Sequence, residues 1–208
     1  MILNDEEIRY PKKGDKFFDN KGKHEEIAWL HKTFQELGSY ADGYQIGAIK
    51  LLDTAILDSK NRDYLIYPIV FLIRHYLELR LKELLQGLNY CSIQTKEFSQ
   101  HHRILELWTE FKKGYSAFGE QTNDESFKAI DSLIKELSNI DPISMAFRYP
   151  SDKNGNKIQK LDYVNLVTLK ETFIRICFVF DGAAMQIAHY VEITEEMMSD
   201  AYGEYLYQ

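Results

Sequence analysis

Cysteine is almost missing from this 208-residue chain, which holds only Cys91 and Cys177. Two thiols can neither build a disulfide framework nor supply a four-cysteine zinc site. Proline is scarce, with four residues, and glycine stands at eleven. That is too few turn-formers for a sandwich or barrel of many short strands. Positive charge is also in deficit. The 25 basic and 32 acidic residues leave a formal charge of −7, which opposes non-specific binding along a phosphate backbone but leaves room for one local basic pocket. Long apolar runs are lacking too. Residues 64–73 end at Arg74, and residues 173–191 are interrupted by Arg175 and Asp181, so neither crosses a bilayer cheaply. Residues 1–19 mix Asp5, Glu6 and Glu7 with Arg9, Lys12 and Lys13, unlike a secretory signal. A cytoplasmic protein without membrane attachment is expected.

The chemical motifs that announce a function are absent as well. The chain has no His-x-x-x-His, Glu-x-x-His or Cys-x-x-Cys pair, so no metal is expected. It has no Gly-x-Gly-x-x-Gly, no Gly-x-x-x-x-Gly-Lys-Ser/Thr and no Gly-x-Ser-x-Gly; no cofactor follows, and no residue is assigned a catalytic role. Cys91 has no cationic or histidine neighbour in sequence and reads as a bystander.

What is present is an ordinary globular balance, 45% hydrophobic and 27% charged. It predicts a single domain over 1–208, with residues 1–20 extended or poorly ordered. Apolar spacing near 3.6 predicts an all-α, antiparallel helical bundle of six segments. These are 24–37, 42–58, 64–88, a fourth capped by Ser99, a fifth opened by the capping-box pattern Thr122-x-x-Glu125 and ended by Pro142, and 162–193. A short C-terminal helix over 195–202 follows. The sixth segment is apolar on most of its circumference, which places it in the middle of the bundle. Asn154-Gly155 marks a small irregular or β-ribbon insertion near 147–158.

The segment 64–88 carries the most chemistry. At about 100° per residue, Arg74, His75, Glu78 and Lys82 share one arc, with Arg80 and Glu83 roughly opposite. If Arg80 and Glu83 face water, the other four point into the bundle or a cleft. The alternative is an exposed ladder, since Arg74–Glu78 and Glu78–Lys82 are i, i+4 pairs worth about 0.2–0.5 kcal/mol each. Phe71 and Leu85 share the stripe and favour the enclosed pocket. His101 and His102 fall in the expected first turn of the fourth helix, whose positive end disfavours imidazolium.

The order of Arg74-His-Tyr-Leu-Glu-Leu-Arg-Leu-Lys-Glu-Leu-Leu85, His102-Arg-Ile-Leu-Glu-Leu-Trp108 and Phe147-Arg-Tyr-Pro-Ser-Asp152 before a long apolar helix resembles the HEPN superfamily. The resemblance spans about residues 42–192. It implies a four-helix core with extra short helices, dimerisation through the long helices, and an RNA-cleaving or RNA-binding role in toxin–antitoxin or phage-defence systems. It departs in two places. The nuclease branch carries Arg-x4–6-His near its last helix, a spacing this chain lacks, and Arg103 replaces the acidic residue after the histidine. The expectation is therefore a non-catalytic module that binds a nucleotide, RNA or another anion through Arg74, His75, Glu78, His102 and Arg148, as a homodimer and with room for a protein partner. Two alternatives remain. One is a metal-independent endoribonuclease with a non-standard Arg/His site; the other is a structural helical dimerisation protein.

Overall fold

A computed structural model of the chain describes residues 10–30, 36–92, 101–158 and 160–206, the last five of these by their backbone alone. It divides into two units, Met1–Phe34 and Gln35–Gln208. In the first, a 3-10 turn over His24–Glu26 is followed by non-helical backbone through Leu30. The helix expected over 24–37 is therefore missing from 24–30, and residues 31–35 lie outside the described residues. The physical reason is that none of residues 10–30 is buried, with Leu30 91% exposed. A short helix with no packed face is marginal in water.

The second unit is an all-α bundle of five helices among the described residues: α1 Leu37–Leu57, α2 Arg62–Cys91, α3 Ile104–Ala117, α4 Glu125–Ile140 and α5 Leu166–Leu206. Instead of a ribbon, the insertion shows a single antiparallel bridge, Ser151 to Lys157, around a turn where Gly155 takes φ 81°. Helix α2 packs against α1, α3 and α5. It buries Ile69, Val70, Ile73, Tyr76, Leu77, Leu81, Leu84 and Leu88, and encloses Arg74, Glu78 and Arg80 as well. Pro68 sits in its second turn, where it removes the donor that would reach the Tyr64 carbonyl.

Arg80 does not face water, so the condition from which the enclosure of Arg74 and Glu78 is inferred is not met, although both are enclosed. Arg80 is 6% exposed and binds Asp42, Glu83 at 2.7 Å and Asp181 at 3.7 Å. Because α1 and α5 flank α2, Arg80 is enclosed as Arg74 and Glu78 are, while His75, Lys82 and Glu83 keep part of their surface in water. An aromatic cluster fills the space between α3, α4 and α5. Trp108 lies 5.4 Å from Phe127 and 5.7 Å from Phe180, and its Nε1 donates to Asp131 Oδ1 at 2.5 Å.

Helix boundaries differ from expectation: α1 begins at Leu37 rather than 42, and α2 runs from Arg62 to Cys91 rather than over 64–88. Helix α3 begins at Ile104, so His101 and His102 precede it rather than occupying its first turn; the expected cap Ser99 lies outside the described residues. Helix α4 is capped by Asp124, whose Oδ1 accepts from the Phe127 amide at 2.8 Å, and not by Thr122. Helix α5 starts beyond Asn165, whose Oδ1 accepts from the amides of Val167 and Thr168 at 3.0 and 3.1 Å. It runs unbroken through the region expected to form a separate C-terminal helix. Nor is α5 central. It buries Phe173, Ile176, Cys177, Phe180, Ala183 and Ile187, a single face at i, i+3/i+4 spacing, and leaves Phe178 80% and Met185 76% exposed.

Candidate functional site

The polar stripe of α2 meets the segment before α3. Glu78, 2% exposed, receives three donors: Lys82 Nζ at 2.8 Å on Oε1, His102 Nδ1 at 2.6 Å on the same oxygen, and Arg74 NH1 at 3.3 Å on Oε2. Burial alone would push this carboxyl up, but the hydrogen bonds from Lys82 and His102 hold it below its usual range. An ionised carboxylate only accepts, which assigns the proton to His102 Nδ1 and turns Nε2 away from the pair. The His102 side chain is 69% exposed.

Arg74 is fully enclosed. Its NH2 donates to the backbone carbonyl of His102, closing a link 28 residues long in sequence. Its Nε is buried without a hydrogen-bond partner. Burial lowers its guanidinium from the ordinary value, with Glu78 and Asp141 opposing and Arg148 assisting; the group stays charged. Arg74 thus fixes where the His102 backbone sits, and Glu78 fixes where the His102 ring points.

His75 occupies the edge of the stripe. Its ring lies 4.5 Å edge-on from Tyr44 and 5.7 Å stacked on Phe71. Burial pushes its imidazole below the ordinary value; Glu78 opposes, while Arg74, Lys82 and His102 add to the shift. Phe71 carries the Arg148 guanidinium on its ring at 5.6 Å, and Tyr149 does so at 5.8 Å. Arg148 Nε donates to the Ser144 carbonyl at 2.5 Å and NH2 meets Met145 Sδ at 3.2 Å. The turn that presents Arg148 is held from below. Buried Asp141 accepts from the amides of Met145 and Ala146 at 2.7 and 3.0 Å, and Ser144 takes the left-handed φ of 59°, uncommon for a residue other than glycine.

The structure therefore joins Arg74, Glu78 and His102 in one hydrogen-bonded cluster, with His75 beside it and Arg148 linked through Phe71. Arg74 and Glu78 are enclosed; His102 and Arg148 are exposed. Lys82, Tyr44 and Asp141 belong to the assembly but were not among the expected binding residues. Lys82 had a signal, the i+4 spacing from Glu78. Asp141 had a weaker one, an acidic residue just before the helix-ending Pro142. Tyr44 had none. Around the cluster, Arg74, Lys82 and Arg148 stand with Glu78 and Asp141, while Glu106 next to it is taken up by His101 at 3.3 Å and Arg103 at 2.9 Å. Among the described residues no group of three histidine, cysteine or carboxylate side chains could hold a metal ion. No protein-family model, curated protein or solved structure matches the chain.

Proposed function

We propose that the protein is a non-catalytic module that binds an anionic ligand, a nucleotide or an RNA phosphate, across the surface formed by His102, His75, Lys82 and Arg148. The observation that carries this reading is the exposed His102, with its ring held at 2.6 Å by a buried carboxylate. A side chain so fixed presents Nε2 in one direction; with Nδ1 already given to Glu78, Nε2 donates to an anion in the imidazolium form, and neighbouring cations supply the rest of the attraction. Arg74 and Glu78 act in this reading as positioning residues. The HEPN-like order of motifs supports RNA or a nucleotide over other anions, and with them a toxin–antitoxin or phage-defence setting in the cytoplasm. The test is fluorescence anisotropy with labelled single-stranded and hairpin RNA, without added metal, over a salt series. Charge-assisted hydrogen bonds are worth about 1.5–3 kcal/mol, so His102→Ala and Arg148→Ala should each weaken binding about tenfold or more. Affinity that neither substitution changes would sink the proposal.

One observation favours the enzyme as a second reading. A buried carboxylate orienting an exposed histidine is the base–orienter pair of general-base catalysis. Metal-free RNA cleavage that His102→Ala and Glu78→Gln both abolish would establish it in place of the binding module.

The partner proposed for α5 is a second copy. Val167, Ile174, Phe178, Met185 and Ile193 are exposed apolar side chains, and with Glu171, Gly182 and His189 they fall within an arc of about 100°. By length and composition α5 is long and apolar enough to cross a membrane, but Glu171 and His189 in the same stripe favour a protein surface. An antiparallel two-fold pairing at the level of residue 180 would bring Phe178 over Gly182, where nothing lies within 4 Å of an added Cβ. It would also set Glu171 beside His189 and Val167 beside Ile193. Such self-complementarity is what an isologous interface requires.

A further inference from the structure

A different face of α5, turned by roughly 120° from that stripe, forms one wall of a groove of about 910 Å³. The other walls are the C-terminal third of α2 and the start of α1. Leu37, Leu84, Ile187 and Val191 make the floor, and Glu36, Glu83, Glu192 and Glu195 stand around it. No lysine, arginine or histidine lines the groove among the described residues. The two long helices approach closely at its base because Gly87 has no side chain; an added Cβ would collide with Ile187 Cγ2.

Three of the four rim charges are poorly compensated. Glu36 and Glu195 have no ion pair among the described residues. Glu192 has only His189 among the described residues, at 3.9 Å. Glu83 shares Oε2 with Arg80 at 2.7 Å. Burial nonetheless pushes the Glu83 carboxyl up against the pull of Arg80, with Asp42 and Asp181 adding to the rise. An apolar floor between carboxylate walls asks for a ligand with an apolar stripe and flanking cations. Along α5 the groove runs from Ala184 to Glu195, about 16 Å or three helical turns. That length suits a helix that seats residues at i, i+3/i+4 and i+7 in a groove. RNA and anionic lipid are repelled by the rim, and a second copy of this acidic chain would bring like charge to it.

We propose that this groove docks a cationic amphipathic helix of a partner protein, with its apolar face on Leu84 and Ile187 and its lysines or arginines against Glu36, Glu83, Glu192 and Glu195. The inference is independent of the anion-binding surface, which lies on other residues.

The experiment uses the full chain and a fluorescein-labelled peptide of about four turns, with leucines at i, i+3/i+4 and i+7 and lysines elsewhere. Two control peptides accompany it: one replaces every lysine by glutamate, and the other scrambles the same residues so that no apolar face forms. The amphipathic lysine peptide should bind at least about tenfold more tightly than either control. Glu36→Lys combined with Glu195→Lys, both exposed positions, should weaken it by a similar factor. Ala188→Trp, which fills the groove from an exposed site, should do the same. His102→Ala and Arg148→Ala should leave it unchanged. Equal binding of the scrambled peptide, or affinity indifferent to both groove variants, would overturn the proposal. Full displacement by spermine at concentrations matching its charge would assign the groove to a small polycation and overturn it as well.

Discussion

Removing the carboxylate at the centre of the α2 cluster should damage stability far more than a helix-surface ion pair would. In Glu78→Ala, Arg74 keeps one neutral partner, the His102 carbonyl, and stays fully enclosed with its Nε already unsatisfied. The Lys82 side chain, 14% exposed, can extend toward water and recover part of its hydration. Breaking a buried pair by deleting one partner costs about 3–5 kcal/mol; because Lys82 can escape, the lower part of that range, about 3–4 kcal/mol, is expected. At about 2–4 °C per kcal/mol for a chain of this size, the midpoint should fall by roughly 6–16 °C. Differential scanning calorimetry and urea unfolding at pH 7 measure it. The pH dependence gives a separate check. The folded carboxyl of Glu78 lies below its ordinary 4.5, so the unfolded chain takes up the proton first as pH falls. The stabilisation is present above about 4.5 and is lost on descending through the folded value. The gap between wild type and Glu78→Ala should therefore narrow in acid. Replacing both partners, Arg74→Met with Glu78→Leu, should recover most of the loss, because no fully enclosed charge is then left unpaired and Lys82 can reach water. A cost below about 1 kcal/mol at pH 7, the range of exposed pairs, would refute the account, as would a double variant weaker than the single one.

His75 should titrate below its ordinary 6.5, by ring-nitrogen NMR, because burial and three nearby basic groups disfavour its charge. Its contribution to stability should be full above 6.5 and should disappear as pH falls from there through its folded value, and Glu78→Gln should lower that value further. Gly87→Ala should cost about 1–3 kcal/mol of stability by chemical denaturation, since Ile187, 4% exposed, has little space to retreat from the new methyl. Phe178→Glu should convert a dimer to a monomer in sedimentation equilibrium, and its thermal midpoint should fall only by the lost association and cease to depend on protein concentration, because Phe178 is 80% exposed within the chain. A wild type that is already monomeric at tens of micromolar would refute the two-fold pairing.

The helices and the Arg74–Glu78–Lys82 stripe were legible in the sequence because both depend on spacing within one helix. Phe71 and Leu85, which share that stripe, pointed correctly to enclosure. The partners that complete it were not legible. The His102 ring reaches Glu78 across 24 residues, and Arg74 holds a backbone carbonyl, a group every residue possesses and no sequence pattern marks. The same limit explains Arg80. Spacing placed it opposite Arg74, and the assumption that a helix keeps one face in water then sent it outward. Asp42 from α1 and Asp181 from α5 cover the Arg80 side chain instead, so α2 encloses a cation on each of its two polar arcs. For α5 the inference failed in the other direction. An apolar circumference reports how much surface avoids water, while burial within the chain depends on how many neighbouring helices arrive, and here they cover one face. Residues 24–30 had helical spacing and an acidic first turn, yet without a buried side among them the spacing had nothing to act upon. Periodicity fixes the direction in which a side chain leaves its helix; whether another helix, a carbonyl or water meets it there is decided by contacts between segments far apart in the chain, and in this protein the candidate site is made of such contacts.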